Sequence, residues 1–98
     1  MDTASTVAQD CVHRLKVLAD TTRFAVLTLL IDGPSHVHEL NAVLEVEQSL
    51  LSHHLKILRD NGFVISERDG KAVQYRLADP LISESGRALN LGCCTLDL

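Results

Sequence analysis

Three cysteines and five histidines carry most of the reactive chemistry in this chain of 98 residues, and they are unevenly placed. Cys93 and Cys94 are adjacent in the tail LGCCTLDL, while Cys11 stands near the other end. Adjacent cysteines seldom bond to each other because the ring they would close is strained. Both thiolates can, however, be offered to one soft, thiophilic centre, and Cys11 as a third sulfur would make that centre trigonal. Cys11 also falls on the apolar stripe of its segment, where an inert buried thiol is the competing reading. An odd cysteine count argues against a disulfide framework.

The stretch SLLSHHLKILRDNGFV, residues 49–64, holds a second group. Neighbouring residues on a helix point about 100° apart, so His53 and His54 do not chelate one ion together. Leu51, Leu55 and Leu58 fall on a core stripe, with His54 at its flank. Ser49, Ser52, His53 and Lys56 fall on the opposite stripe, with Gln48 at the exposed start. Glutamine can pair bidentately with adenine, serine can reach a base edge or phosphate, and lysine can reach guanine or phosphate. An ordinary solvated face would look similar. The balance tips towards double-stranded DNA because Arg68 and Lys71 flank an Asp69-Gly70 hairpin tip that could meet the duplex backbone. His36 and His38 would diverge on a helix, and they read as a surface pair rather than a ligand set.

These groups need elements to hold them. A first helix is predicted over about residues 5–18, with Val7, Cys11, Leu15 and Leu18 inward. A second follows the capping run DTTR, with Phe24, Leu27, Leu30 and Ile31 inward, and stops at Asp32-Gly33-Pro34. Ser35 is the expected cap of a short third helix holding Leu40, Val43 and Leu44. The fourth, from 47 to about 60, ends at Asp60-Asn61-Gly62. FVISER and KAVQYRL then read as a hairpin turning at Asp69-Gly70, both in positive φ. Pro80 opens a last helix over about 80–91. The fold class is mainly α with a β-hairpin wing: a winged helix-turn-helix of four helices, two strands and a fifth helix, in one domain over 1–98. Its DNA-reading part would be about 35–77.

Composition agrees. The chain is 46% hydrophobic but 3% aromatic, which suits an aliphatic helical core. Its net charge of −4 disfavours nonspecific nucleic-acid binding, yet residues 48–76 carry five basic against three acidic side chains. No apolar run approaches the roughly 20 residues of a membrane span, and the start lacks a signal-peptide pattern. A cytoplasmic bacterial protein without a membrane partner is expected.

LADTTRFAVLTLL, and HELNAVLEVEQSLLSHHLKILRDNGFVISERDGKAVQYRL after it, resemble the ArsR/SmtB family of metal- and thiol-responsive bacterial repressors over about residues 14–77. The resemblance implies a homodimer joined by the first and last helices (about 5–18 and 80–91), reading an inverted repeat in operator DNA. By that likeness Gln48, Ser49, Ser52, His53 and Lys56 are DNA contacts and Arg68 and Lys71 wing contacts. Glu45 stands where the family often has glycine, and Glu47 where it has a better cap.

The family's cysteine-rich site on the third helix is absent, since Asn41 and Val43 replace its thiolates. Its zinc site on the last helix is absent too, because Asp79 and Glu84 have no histidine beside them. Cys11, Cys93 and Cys94 remain, and the resemblance brings the first helix beside the last. The reading is a repressor that needs no cofactor to bind DNA and is released when As(III), or Sb(III), takes these thiolates. Cd(II), Pb(II) or Zn(II) would want a fourth ligand, for which His13 is the candidate. The rival is a thiol redox or persulfide switch linking Cys11 to a tail cysteine. A protein-binding module would lack salt-dependent affinity for DNA. An enzyme is not expected, because cysteines and histidines lie on separate elements without a glycine-rich loop or carboxylate pair.

Overall fold

A computed structural model describes residues 3–98, with side-chain surroundings from residue 9 onward. The Val7 core position therefore lies outside the described side chains. Helix α1 spans Thr3–Leu18 and α2 spans Thr21–Leu30. Between them Asp20, in extended backbone, accepts the Arg23 N–H at 3.0 Å and caps α2. A two-residue strand β1 (Ser35–His36) leads directly into α3 (Val37–Leu44), and α4 spans Gln48–Asp60. The cap of α3 is His36 and not Ser35: Glu39 Oε1 reaches back to accept the His36 N–H at 2.8 Å.

Glu45 ends α3 in the left-handed region at φ 53°, the one non-glycine residue there among the described residues. The Asn41 side-chain amide braces the turn by donating to the Val46 carbonyl. Glu47 precedes α4 without a side-chain cap bond. The turn thus carries both departures that the sequence raised, and holds its form through Asn41.

Strands β2 (Val64–Asp69) and β3 (Ala72–Leu77) form the wing, and β1 pairs with β3 to give a three-stranded antiparallel sheet in the order β1-β3-β2. Asp69 pairs with Ala72, so the turn residues are Gly70 and Lys71. Only Gly70 has positive φ, 64°, where the sequence reading put both Asp69 and Gly70. Glycine first in a two-residue hairpin loop suits the twist of the flanking strands.

The largest correction lies at the C-terminus. Residues 80–91 do not form the expected helix. A three-residue 3₁₀ turn, Asp79–Leu81, is followed by strands β4 (Ala88–Asn90) and β5 (Thr95–Asp97), paired antiparallel. Pro80 does open a helical turn, but the SESG run after it ends the path. Gly86 adopts φ 72°, and its N–H bonds the Ser83 carbonyl in a turn. Ser85 Oγ accepts the Arg87 N–H at 3.2 Å, a local bond that competes with a helix. Leu81, Leu89 and Leu91, which looked like a helical stripe, reach the core from the turn and the hairpin.

The core joins Val26, Leu27 and Leu30 of α2, Leu40 of α3, Leu51, Leu55 and Leu58 of α4, Phe63, and this C-terminal leucine set. Two positions expected inside are outside in the single chain: Leu15 is 38% and Val43 64% exposed. No described helix is long and apolar enough to cross a membrane.

Candidate nucleic-acid interface and sulfur cluster

Helix α4 divides as its sequence pattern requires. Leu51, Leu55 and Leu58 are buried, and Gln48, Ser49, Ser52, His53 and Lys56 are exposed. His54 is buried, as its flank position implied, and belongs to a polar joint. Arg23 Nη1 donates to His54 Nδ1 at 3.1 Å and Arg23 Nε donates to the Val17 carbonyl at 2.6 Å. Asp20 lies 3.8 Å from the same ring nitrogen. The end of α1, the start of α2 and the middle of α4 are thereby tied together. The sequence reading recognised Asp20 as a cap and missed the rest, because the 31 residues between Arg23 and His54 leave no local pattern.

On the exposed stripe two groups have intramolecular partners. Ser49 Oγ donates to Glu47 Oε1 at 2.8 Å, and Lys56 Nζ donates to Asp60 Oδ2 at 3.0 Å. That lysine holds the Asp60 carboxyl below the usual carboxylate range. Both bonds are exposed and exchangeable for a phosphate oxygen at little cost, since surface pairs contribute at most about 1 kcal/mol. At the wing, Arg68 and Lys71 are exposed and have no ion-pair partner among the described residues. Arg76 points elsewhere, held by Glu67 at 2.8 Å and Asp79 at 3.0 Å, which raise its pKa. Between α4 and the wing runs an open groove of about 450 Å³, lined by His38, Gln48, Ser52, Ala72, Val73 and Tyr75 among others. The stripe and the wing therefore border one concavity.

The sulfurs meet at the other side of the fold. Cys11 of α1 and Cys93 in the β4–β5 turn form a disulfide with Cα atoms 5.8 Å apart, and Cys94 is free. The odd cysteine count had argued against a disulfide, but that argument concerns a framework of several bridges. A single bridge with one thiol left over satisfies the same count. All three sulfurs lie within 4.8 Å of one another in one chain. Once the bond is reduced the donor set is three thiolates, which fits a soft ion. His13 does not join them, since its Nε2 is bonded to Asn61 Oδ1 at 2.8 Å.

That contact connects the sulfur cluster to the reading helix. Asn61 is the C-cap of α4 and donates from its side chain to the Ile57 carbonyl at 2.8 Å. One residue beyond His13, the Arg14 guanidinium lies 4.9 Å from the centroid of the Phe63 ring. Cys11, His13 and Arg14 thus link one short segment of α1 to the tail hairpin and to the end of α4.

Residues 20–66 match the family model described as bacterial regulatory protein, arsR family. The chain is 35% identical over 80 residues to the HTH-type transcriptional regulator NmtR of Mycobacterium tuberculosis, covering 82% of this chain and 67% of that one. It is 48% identical over 65 residues to the HTH-type transcriptional repressor SmtB of the same species, covering 66% of this chain and 48% of that one. The chain thus spans about half to two thirds of these relatives. Among solved structures, reduced HlyU from Vibrio cholerae superposes with a TM-score of 0.76 at 31% identity, over 88% of this chain and 86% of that one.

Proposed function

Starting from its membership of the arsR family of bacterial regulatory proteins, we propose that this chain, a transcriptional regulator and not an enzyme, is a homodimeric repressor governed by its three sulfurs. One observation carries the reading: Cys11, Cys93 and Cys94 converge on α1, whose next residues grip the end of the reading helix.

On the DNA side, Ser52, His53 and Lys56 would enter a major groove from α4, with Gln48 and Ser49 at its start, and Arg68 and Lys71 would take phosphate from the wing. Val12 and Leu15, one turn apart on α1, are 49% and 38% exposed and supply an apolar seam for a second copy. Two copies would present two α4 helices to an inverted repeat in operator DNA.

On the sensing side, the reduced protein offers three thiolates to As(III), Sb(III) or another thiophilic ion. Drawing them onto one centre shifts α1 against the tail, and His13 and Arg14 pass that shift to Asn61 and Phe63. A differential affinity of a few kcal/mol between the two arrangements is enough to empty an operator. The disulfide favours a second reading, in which loss of two electrons and two protons from Cys11 and Cys93 is itself the signal.

The test is fluorescence anisotropy on duplex fragments selected for binding, with arsenite, antimonite, Cd(II), Zn(II) and polysulfide added to reduced protein. Wild type is compared with Cys11→Ser and the Cys93→Ser/Cys94→Ser double variant. Release by arsenite that both variants lose supports ion sensing. Release by polysulfide alone supports the redox reading. Retention of DNA by wild type under every addition overturns sulfur control, and absence of binding to any duplex at low salt overturns the DNA reading. Lys56→Ala, Arg68→Ala and Lys71→Ala should each lower the salt slope of binding by about one.

A further inference from the structure

The reading module holds a second donor cluster, remote from sulfur. His36 is extended, with φ −78° and ψ 155°, while His38 sits in the first turn of α3. The helical divergence expected of residues two apart does not apply across that boundary. Their rings stack instead, centroids 5.4 Å apart and planes 15° from parallel. Glu39 Oε1 lies 2.7 Å from His36 Nδ1, and from the wing Asp69 Oδ2 lies 2.8 Å from His36 Nε2. His36, His38 and Glu39 each bring a ligand atom within 4.8 Å of the others.

We propose that His36, His38 and Glu39 bind a borderline divalent cation of the Zn(II), Co(II) or Ni(II) type, with Asp69 orienting His36 from behind. Two imidazoles and one carboxylate, with a position left for water, are a donor set these ions accept and As(III) does not. The Asp69 contact supplies the usual supporting bond. A ring that donates Nε2–H to a carboxylate presents its Nδ1 lone pair to a cation. Both ring nitrogens of His36 now face carboxylate oxygens, an arrangement that calls for positive charge at the Nδ1 side. A proton meets that need in the free chain, and the cation would displace it to solvent.

The location gives the site a consequence. His38 lines the groove between α4 and the wing, and Asp69 is the last residue of β2 before the wing turn. A bound cation would lock the wing tip to the start of α3, so this site acts on wing position and the sulfur cluster acts on α1. The two sites would take ions of different softness.

The test uses an untagged chain with Cys94→Ser and the Cys11–Cys93 bond intact, which has no free thiol. Titration with Zn(II) in a calorimeter and with Co(II) by visible absorption should show one ion per chain and no sulfur-to-cobalt charge-transfer band. His38→Ala, which leaves the α3 cap untouched, should weaken Zn(II) at least about 10-fold, and Asp69→Asn about 10-fold. Amide exchange at the wing tip should slow when Zn(II) is added. Should Cys94→Ser fail to fold, wild type alkylated at Cys94 takes its place. Zn(II) affinity unchanged by His38→Ala, or no binding tighter than millimolar, overturns the proposal.

Discussion

The two hairpins of this molecule are built on opposite principles. The wing has six-residue strands joined through a two-residue turn in full register, and β1 adds a third strand along β3. The tail hairpin has three paired positions, joined by a four-residue connection that contains Gly92 at φ 87° and both tail cysteines. A hairpin this short is marginal on its own. The tail hairpin is held by two things outside itself, the Cys11–Cys93 bond and the burial of Leu89 and Leu91. Local sequence supports one hairpin, and distant partners support the other.

Reduction is the strongest way to separate them. The bond closes a loop with a sequence separation of 82. In the chain-entropy account such a link contributes up to about 4 kcal/mol. Urea unfolding of oxidised and reduced protein should differ by that order, with Cys93→Ser behaving as the reduced form. Hydrogen exchange should rise in β4 and β5 on reduction and stay unchanged in β2 and β3. Equal loss of protection in both hairpins would show that they unfold as one unit and would end the contrast.

The same contrast explains what could be read before the structure. The wing, the core stripe of α4 and the burial of His54 follow from spacing within a few residues, and each was legible. The tail was not. Leu81, Leu89 and Leu91 match a helical stripe, and only the Ser83–Ser85–Gly86 break and the partner at Cys11 decide otherwise. The sulfur cluster was legible in composition, as three thiols for one centre, but not in its oxidation state. His36 and His38 were misjudged because the helix begins between them, and boundaries are what periodicity resolves worst. The His13–Asn61 bond spans 48 residues and has no signature in either local stretch.

Leu89 sharpens the comparison. It is fully buried in the oxidised fold, so Leu89→Ala should cost about 3 kcal/mol there. If reduction frees the tail from the core, the same substitution should cost much less in reduced protein. A coupling of more than about 1 kcal/mol between reduction and Leu89→Ala in denaturant titrations is expected. Additive effects would mean that Leu89 stays packed without the bond.

At the wing the expected effect is smaller and local. Gly70→Ala places a Cβ at φ 64°, which should cost about 1–2 kcal/mol through backbone strain, since no atom lies within 4 Å of the added carbon. Thermal unfolding should register the loss equally in oxidised and reduced protein. Dependence on redox state would connect the two hairpins.

Asp20 sits where the two regions share a support, between the helix that carries Cys11 and the one that leads to His54. It caps α2, and Asp20→Ala should lose about 1 kcal/mol. The Arg23 N–H bonded to its carboxylate, with His54 and Arg23 nearby, holds the Asp20 pKa below the usual carboxylate range against the opposing effect of burial. A carboxyl whose pKa is lower folded than unfolded stabilises fully above its unfolded value, about 3.9. That contribution fades as pH falls through the lower, folded value. Urea titrations between neutral and acid pH should therefore show wild type losing its advantage over Asp20→Asn as the solution is acidified below about pH 4. Because the joint touches α1, α2 and α4 together, the loss should appear in oxidised and reduced protein alike. An advantage that survives acidification would place the support in the Arg23 bonds to Val17 and His54, with Asp20 acting only as a neutral cap.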